Sequence, residues 1–410
     1  MNDLSKPLSV TKLAVVGFTS LLLLSACSTK SNAEQSSATK TSSSQVAASQ
    51  ADTSSYITDA DRDTSYDTAT STTIALSGNS ATVSGEGASY SDGLVSISKA
   101  GTYIISGNSS QIQVQVTAGD SDEVHLILDN TTMTADKAPI AILKAGHVYL
   151  TLAEGSDNSL SDSSNNTDKE VDATLFSKTA LTINGSGTLS VDGKTNDAIK
   201  VSDSLHIVGG NFKLTAVGDT LTVNDELNII DSKLTLEAGE DAVKVDNDDD
   251  QTLGNMYLAN NTMTITTGDD GIHASGNLVI DSGNYDIKQS AEGIEGARIT
   301  INGGQFNIEA TDDGINAANA NLSASQIGMT FNGGDFVINM GAGDTDAVDS
   351  NGDLTVAGAN FDITAQSAFD ADGEITYTGG TILVNGEEIS EITVSGPGPG
   401  GFGGNGMPRH

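Results

Sequence analysis

The sequence predicts an all-β protein, a right-handed parallel β-helix with three short strands per coil and about 22 residues in each coil. Three observations predict it. The segments "GGNFKL", "DSKLTL", "NNTMTI", "SGNYDI", "GGQFNI", "GGDFVI", "GANFDI" and "GGTILV" align Phe212, Leu234, Met263, Tyr285, Phe306, Phe336, Phe361 and Ile382 at steps of 22, 29, 22, 21, 30, 25 and 21 residues. A period in this range marks a stacked repeat. Within a unit, alternation such as Ile272 and Ala274, Leu278 and Ile280, then Tyr285 and Ile287 gives three strands separated by Gly, Asn or Asp turns. No long stretch carries helical spacing, and a chain rich in Gly, Asn, Asp, Thr, Ile and Val with no tryptophan suits many short strands joined by tight turns. The right hand follows from the preference of strand crossovers.

Residues 1–26 read as a lipoprotein signal peptide. Lys6 and Lys12 precede a twelve-residue apolar run from Leu13 to Leu24; a bilayer core of about 30 Å needs roughly 20 residues, so the run is too short to span it. Leu24-Ser25-Ala26-Cys27 resembles a bacterial lipobox, and Cys27 is the only cysteine in the chain. That resemblance implies lipidation of Cys27 and a place on the extracellular face of the bacterial cell membrane, with the lipid as the sole membrane contact. Residues 27–73, dominated by Ser, Thr, Ala, Gln and Asp, are expected to form a disordered tether. The β-helix is expected over 74–394, followed by a flexible Gly/Pro-rich tail over 395–410. Eighteen Lys plus Arg face 55 Asp plus Glu, a formal net charge of −37, which excludes nucleic acid as a partner and favours cations.

The inward alignment makes Phe212, Tyr285, Phe306, Phe336 and Phe361 an internal stack and not a sugar platform. A second column is acidic. Asp197, Asp219, Asp241, Asp270, Glu292, Asp313, Asp346 and Ser367 share one position, and Lys200, Thr222, Lys244, His273, Glu295, Asn316, Asp349 and Asp370 lie three residues later. A pair such as Asp269-Asp270 beside His273 could serve acid–base chemistry, but a recurring corner favours structure or metal binding. Unit charges about 4.8 Å apart repel by roughly 3 to 4 kcal/mol at an effective dielectric of about 20. Lys200 and Lys244 can pair with Asp197 and Asp241, whereas no basic residue occurs between Arg298 and Arg409. Calcium is therefore expected mainly on the C-terminal rungs, with Asp241, Asp269, Asp270, Glu292, Glu295, Asp312, Asp313, Asp344, Asp346, Asp349, Asp370 and Asp372 as candidate ligands. The alternative is a solvated acidic face. His273 reads as a solvent-facing variant and receives no role. In "DNDDDQ", Asp246, Asp248 and Asp250 alternate, but Gln251 and Tyr257 stand where an EF-hand needs Gly and Glu.

"TLAEGSDNSLSD", "ATLFSKTALTINGSGTLSV" and the recurring "GGxFxIxAxDDGIxA" units resemble a bacterial family of secreted carbohydrate-binding β-helix proteins, polysaccharide-lyase-like in fold and first known from cellulose-degrading bacteria. The similarity runs from about residue 74 to 394. It implies a calcium-binding protein that takes polysaccharide, uronate-containing or cellulose-like, without catalytic residues. Two other readings remain open. A calcium-dependent polysaccharide lyase would use Lys200 or Lys244 as base, and a glycoside hydrolase of the polygalacturonase kind would need a Gly-His-Gly and an Arg-x-Lys that "GDDGIH" and "GARIT" lack. A structural or adhesive surface scaffold would need no glycan at all.

Overall fold

Apolar residues two apart on a strand point the same way, so a strand that buries one of them buries the whole set. The computed structural model describes residues 52–342 and 345–393. Cys27, the segment before it, residues 28–51, Asp344 and the tail from Gly396 lie outside the described residues. Among the described residues 36 strands join one sheet. The pairing is parallel almost throughout. Antiparallel pairs stand near the two ends, Ile74 opposite Val83 and Tyr90 opposite Val95 at one, Leu383 opposite Glu388 at the other. Such turned-back strands cover the terminal edges, which would otherwise present unpaired backbone. Helix is confined to single turns, and the arrangement is β-helix-like.

Three parallel ladders make up the sheet. In the first, Ile199, Leu221, Val243, Ile272, Ile294, Ile315, Val348 and Phe369 pair in succession. The second runs through Ile207, Ile229, Leu258, Ile280, Ile301, Phe331 and Val356. In the third, Phe212 pairs with Leu234, then Met263, Tyr285, Phe306, Phe336, Phe361 and Ile382 follow. All these inward residues share one core. The aromatic stack is continuous only from Tyr285 to Phe361, with ring centroids 4.9, 4.5 and 4.7 Å apart. Phe212 stands outside it, because Leu234 and Met263 intervene. Phe331 packs edge-on against Phe336 and Phe361, and Phe369 against Phe361, bringing the second and first ladders into the same aromatic core.

Part of the expected tether is instead ordered. Thr58 caps a single turn over Asp59–Arg62 through a reciprocal bond with Asp61. The segment around this turn lies on the outer face of the second ladder. Asp61 is buried; its Oδ1 accepts from Thr182 Oγ1 at 2.6 Å and sits 3.1 Å from His206 Nδ1, off the line a hydrogen bond needs, so the His206 contact acts through charge. Asn184 Nδ2 donates to the carbonyls of Asp61 and Asp63, both at 3.0 Å. Tyr56 lies flat against Tyr257, centroids 3.7 Å apart, and Ile57 is buried with Ile230 and Ala259. Burying Ile57 alone contributes about 1.5–3 kcal/mol. A segment too polar to build its own core is thus held as a strap by a surface that already exists.

Two inserts interrupt the repeat at one corner, between the first and second ladders. The turn after Val245 is organised by Asn247 Oδ1, which accepts from the backbone of Asp249 and Asp250 at 3.1 and 2.8 Å. It meets the insert after Ala317, where Gln251 Nε2 donates to the Asn321 carbonyl at 3.3 Å, and Asn319 Nδ2 donates to the Ser275 carbonyl at 2.8 Å.

Candidate functional site

The acidic column begins one turn before the first ladder, where each chain bends into its strand. There the carboxylate has a structural task. The backbone N–H of Asp219 donates to Asp197 Oδ1 at 3.1 Å, that of Asp241 to Asp219 Oδ1 at 2.7 Å, that of Asp270 to Asp241 Oδ1 at 2.9 Å, and that of Asp346 to Asp313 Oδ1 at 3.1 Å. Each aspartate therefore supplies an acceptor to the next rung at a bend where the carbonyl ladder alone leaves one donor over. Asp fits because its short side chain reaches one rung and no further. Glu292 breaks the run, and its carboxylate accepts from Asn316 Nδ2 at 3.1 Å.

With Oδ1 committed to backbone, the second oxygen faces the outward row three residues later. That row is itself a ladder, Lys200, Thr222, Lys244, His273, Glu295 and Asn316, then Asp349 and Asp370. Lys244 Nζ donates to Asp241 Oδ2 at 2.7 Å. Lys200 lies closer to Asp172, at 3.0 Å, than to Asp197, at 3.8 Å. Thr222 Oγ1 stands 2.9 Å from Asp197 Oδ2 and 3.2 Å from Asp219 Oδ2. His273 is no solvent-facing variant. Its Nδ1 lies 3.3 Å from Asp270 Oδ2 and bonds Glu295 Oε2, with the ring four-fifths covered. Burial alone would lower the His273 pKa, but these two carboxylates push it up to about 10, so the imidazolium is a built-in cation between them.

The same burial acts on the acids. It pushes Asp219 up to about 7, with the Asp241 and Asp197 charges adding to it. Asp197 and Asp270 are also raised, burial first in each. For Glu295 burial works against ionisation, yet the His273 ring holds its carboxyl below the usual range. Further along, burial and then Glu295 and Asp270 raise Glu292 to about 8; burial, Asp312 and Asp346 raise Asp313 to about 6; burial, Asp313, Asp346 and Asp370 raise Asp349 to about 7. Beyond Arg298 the sequence places no lysine or arginine before Arg409, so protons or a bound cation would relieve repulsion on these rungs.

Asp241, Asp269 and Asp270 each offer a carboxylate oxygen within 4.8 Å of one another, and Asp269 is exposed, which leaves a side open to water. An all-oxygen set with an open side fits calcium, although Lys244 competes for Asp241. Asp270, His273 and Glu295 form a second close group, but there the protonated ring already fills the place of a metal. Both groups stand in the middle of the column and not on its C-terminal rungs. Asp312 and Asp372 are exposed, Glu292, Asp313, Asp346, Asp349 and Asp370 half-buried, and among the described residues these seven join no group of three within that distance. The repeat alignment sets His273 and Glu295 on neighbouring rungs 22 residues apart, and that spacing is the signal for their pairing.

An all-β, mostly parallel ladder carrying an acidic corner defines a class of β-helix-like repeat proteins. Within that class, a family of carbohydrate-binding domain-containing proteins matches residues 91–347, and the chain belongs to it. A carbohydrate-binding domain-containing protein of Acetivibrio thermocellus is 36% identical over 137 residues, 32% of this chain and 48% of the relative, so the match spans about half of that relative's length. Among solved structures, the polysaccharide lyase-like protein from C. thermocellum, a gadolinium derivative, aligns over 77% of this chain and 96% of its own at 23% identity, with a TM-score of 0.36.

Proposed function

We propose that the chain is a cell-surface polysaccharide-binding lipoprotein, anchored through Cys27, whose right-handed β-helix carries calcium along its acidic corner and does no chemistry on the glycan. Membership of a carbohydrate-binding family over residues 91–347 is the observation that carries the binding reading. The cation reading is supported by the donor set of Asp241, Asp269 and Asp270 and by the lack of any lysine or arginine in the sequence between Arg298 and Arg409. Glu292, Asp312, Asp313, Asp344, Asp346, Asp349, Asp370 and Asp372 complete the proposed ligand set, Glu295 being already engaged by His273. A protein of net charge −37 repels a uronate polymer at long range, whereas calcium shared between column and polymer would hold it. The non-catalytic reading is supported by the lysines. Lys244 is bonded to Asp241 and raised above its ordinary value, since that pairing outweighs the lowering by burial; an ammonium so held is a poor general base.

A glycan array read with calcium and with chelator tests the proposal, with unsaturated products and reducing ends followed in parallel. Retention of acidic glycans that calcium strengthens, without product release, is the expected result. Release of unsaturated sugars, abolished by Lys244→Ala, would make the protein a lyase instead.

A further inference from the structure

The strap encloses a groove on the second ladder, remote from the acidic corner in the repeat and unused by the column. Its volume is about 340 Å3. One wall is a polar row at rung spacing. Glu226 pairs with Asn255, and Asn277 with Arg298. Asn255 Oδ1 joins the two halves by accepting from Asn277 N at 3.0 Å and Asn277 Nδ2 at 2.8 Å. The other wall is Tyr56, fixed by its stack on Tyr257 and by Asn228 Nδ2, which donates to the Tyr56 carbonyl at 3.0 Å. Val279, half-exposed, forms an apolar floor between them.

We infer that this groove is a glycan subsite, taking a linear chain along the stack with a carboxylate-bearing sugar at Arg298. The inference rests on the polysaccharide-binding reading above and adds to it a place and a polarity. Rungs recur about every 4.8 Å, close to the length of one pyranose in an extended chain, so successive sugars meet Glu226, Asn255, Asn277 and Arg298 in turn. Amide and carboxyl groups suit sugar hydroxyls because each can both orient and satisfy them. The aromatic edge and Val279 suit the C–H face of the ring. Arg298 sets the sign. Its side chain is exposed, it donates to the Ser325 carbonyl at 3.2 Å, which orients it, and its planar fork matches a carboxylate. No calcium is needed at this face.

Calorimetric titration of the full chain with a linear trigalacturonate and with cellotriose, each in chelator and in calcium, tests the inference. Arg298→Gln should weaken trigalacturonate in chelator at least tenfold and leave cellotriose within twofold, while Tyr56→Ala weakens both. Arg298→Gln leaves the strap contacts in place, so an unchanged melting temperature separates lost binding from lost fold. If the wild-type chain binds trigalacturonate but Arg298→Gln and Tyr56→Ala bind it as tightly, the groove is not the subsite and the polysaccharide-binding reading stands. If the wild-type chain binds no glycan on the array or in either titration, that reading fails and the groove falls with it.

Discussion

The rungs from Asp197 to His273 and those from Glu292 to Asp370 share one backbone register yet solve the same electrostatic problem differently. In the first set each buried acid finds a donor in its own outward row, Lys244 for Asp241, Thr222 for Asp219 and His273 for Asp270. In the second the outward row is Glu295, Asn316, Asp349 and Asp370, and among the described residues no lysine or arginine faces it. The cores differ in parallel. At one position of the third ladder the first set has Phe212, Leu234 and Met263, and the second has the rings from Tyr285 to Phe361. Where the outward row carries no lysine or arginine, the core beneath is aromatic.

Removing that packing should have the largest effect. Phe336→Ala takes a ring from the middle of the stack and is expected to cost about 3–5 kcal/mol, read as a lower denaturant midpoint; a loss below about 1 kcal/mol would show that the stack is dispensable. Next comes pH, which addresses the charge pairs of the N-terminal half. Burial lowers the His206 pKa, but Asp61 and Glu226 outweigh it and raise it from 6.5 to about 9. Its contribution is therefore whole below 6.5 and is lost as pH rises through about 9, up to about 3 kcal/mol by linkage. Comparing melts near pH 6 and above the shifted value checks this, and Asp61→Asn should flatten most of the difference.

Calcium should act on the other half. If the column binds it, chelator removes about 2.7 kcal/mol of stabilisation relative to calcium at 100-fold excess over Kd, a fall of several degrees in Tm that magnesium restores poorly because it demands octahedral geometry. An unchanged melt in excess chelator would dismiss the cation sites. The smallest effect is the sharpest in sign. Asn keeps the oxygen that accepts the next backbone N–H, so Asp→Asn removes charge alone. In chelator, Asp241→Asn should destabilise by about 1 kcal/mol, since Lys244 loses its partner, while Asp313→Asn should stabilise by a similar amount as repulsion falls. Shifts of the same sign at both positions would erase the distinction between the two halves.

The register was legible because inward positions repeat: aligning Phe212 with Tyr285 and Phe361 by eye yields the pairing of the third ladder. The acidic column was legible for the same reason. What escaped were contacts that depend on the distance between rungs, or on surfaces made by distant sequence. His273 looked solvent-facing although Glu295 is aligned on the next rung, because alignment gives the rung and not the side-chain reach that joins the two. The strap looked like tether because Tyr56 and Ile57 carry no local period, and the groups that hold it, Thr182, Asn184, His206 and Tyr257, lie more than a hundred residues away. The Glu226 to Arg298 row is visible as spacing, but only the strap turns it into a groove.

The two inserts that meet through Gln251 and Asn321 bear on how such a chain responds to tension. A stack whose rungs touch only their neighbours yields to pulling one rung at a time. Here the contact between inserts spans the rungs of Ile272–Ile280 and Ile294–Ile301, so those rungs cannot peel away until the clip over them breaks. Stretching the molecule from its ends should then release this middle block as one longer step, in a force trace otherwise made of short ones.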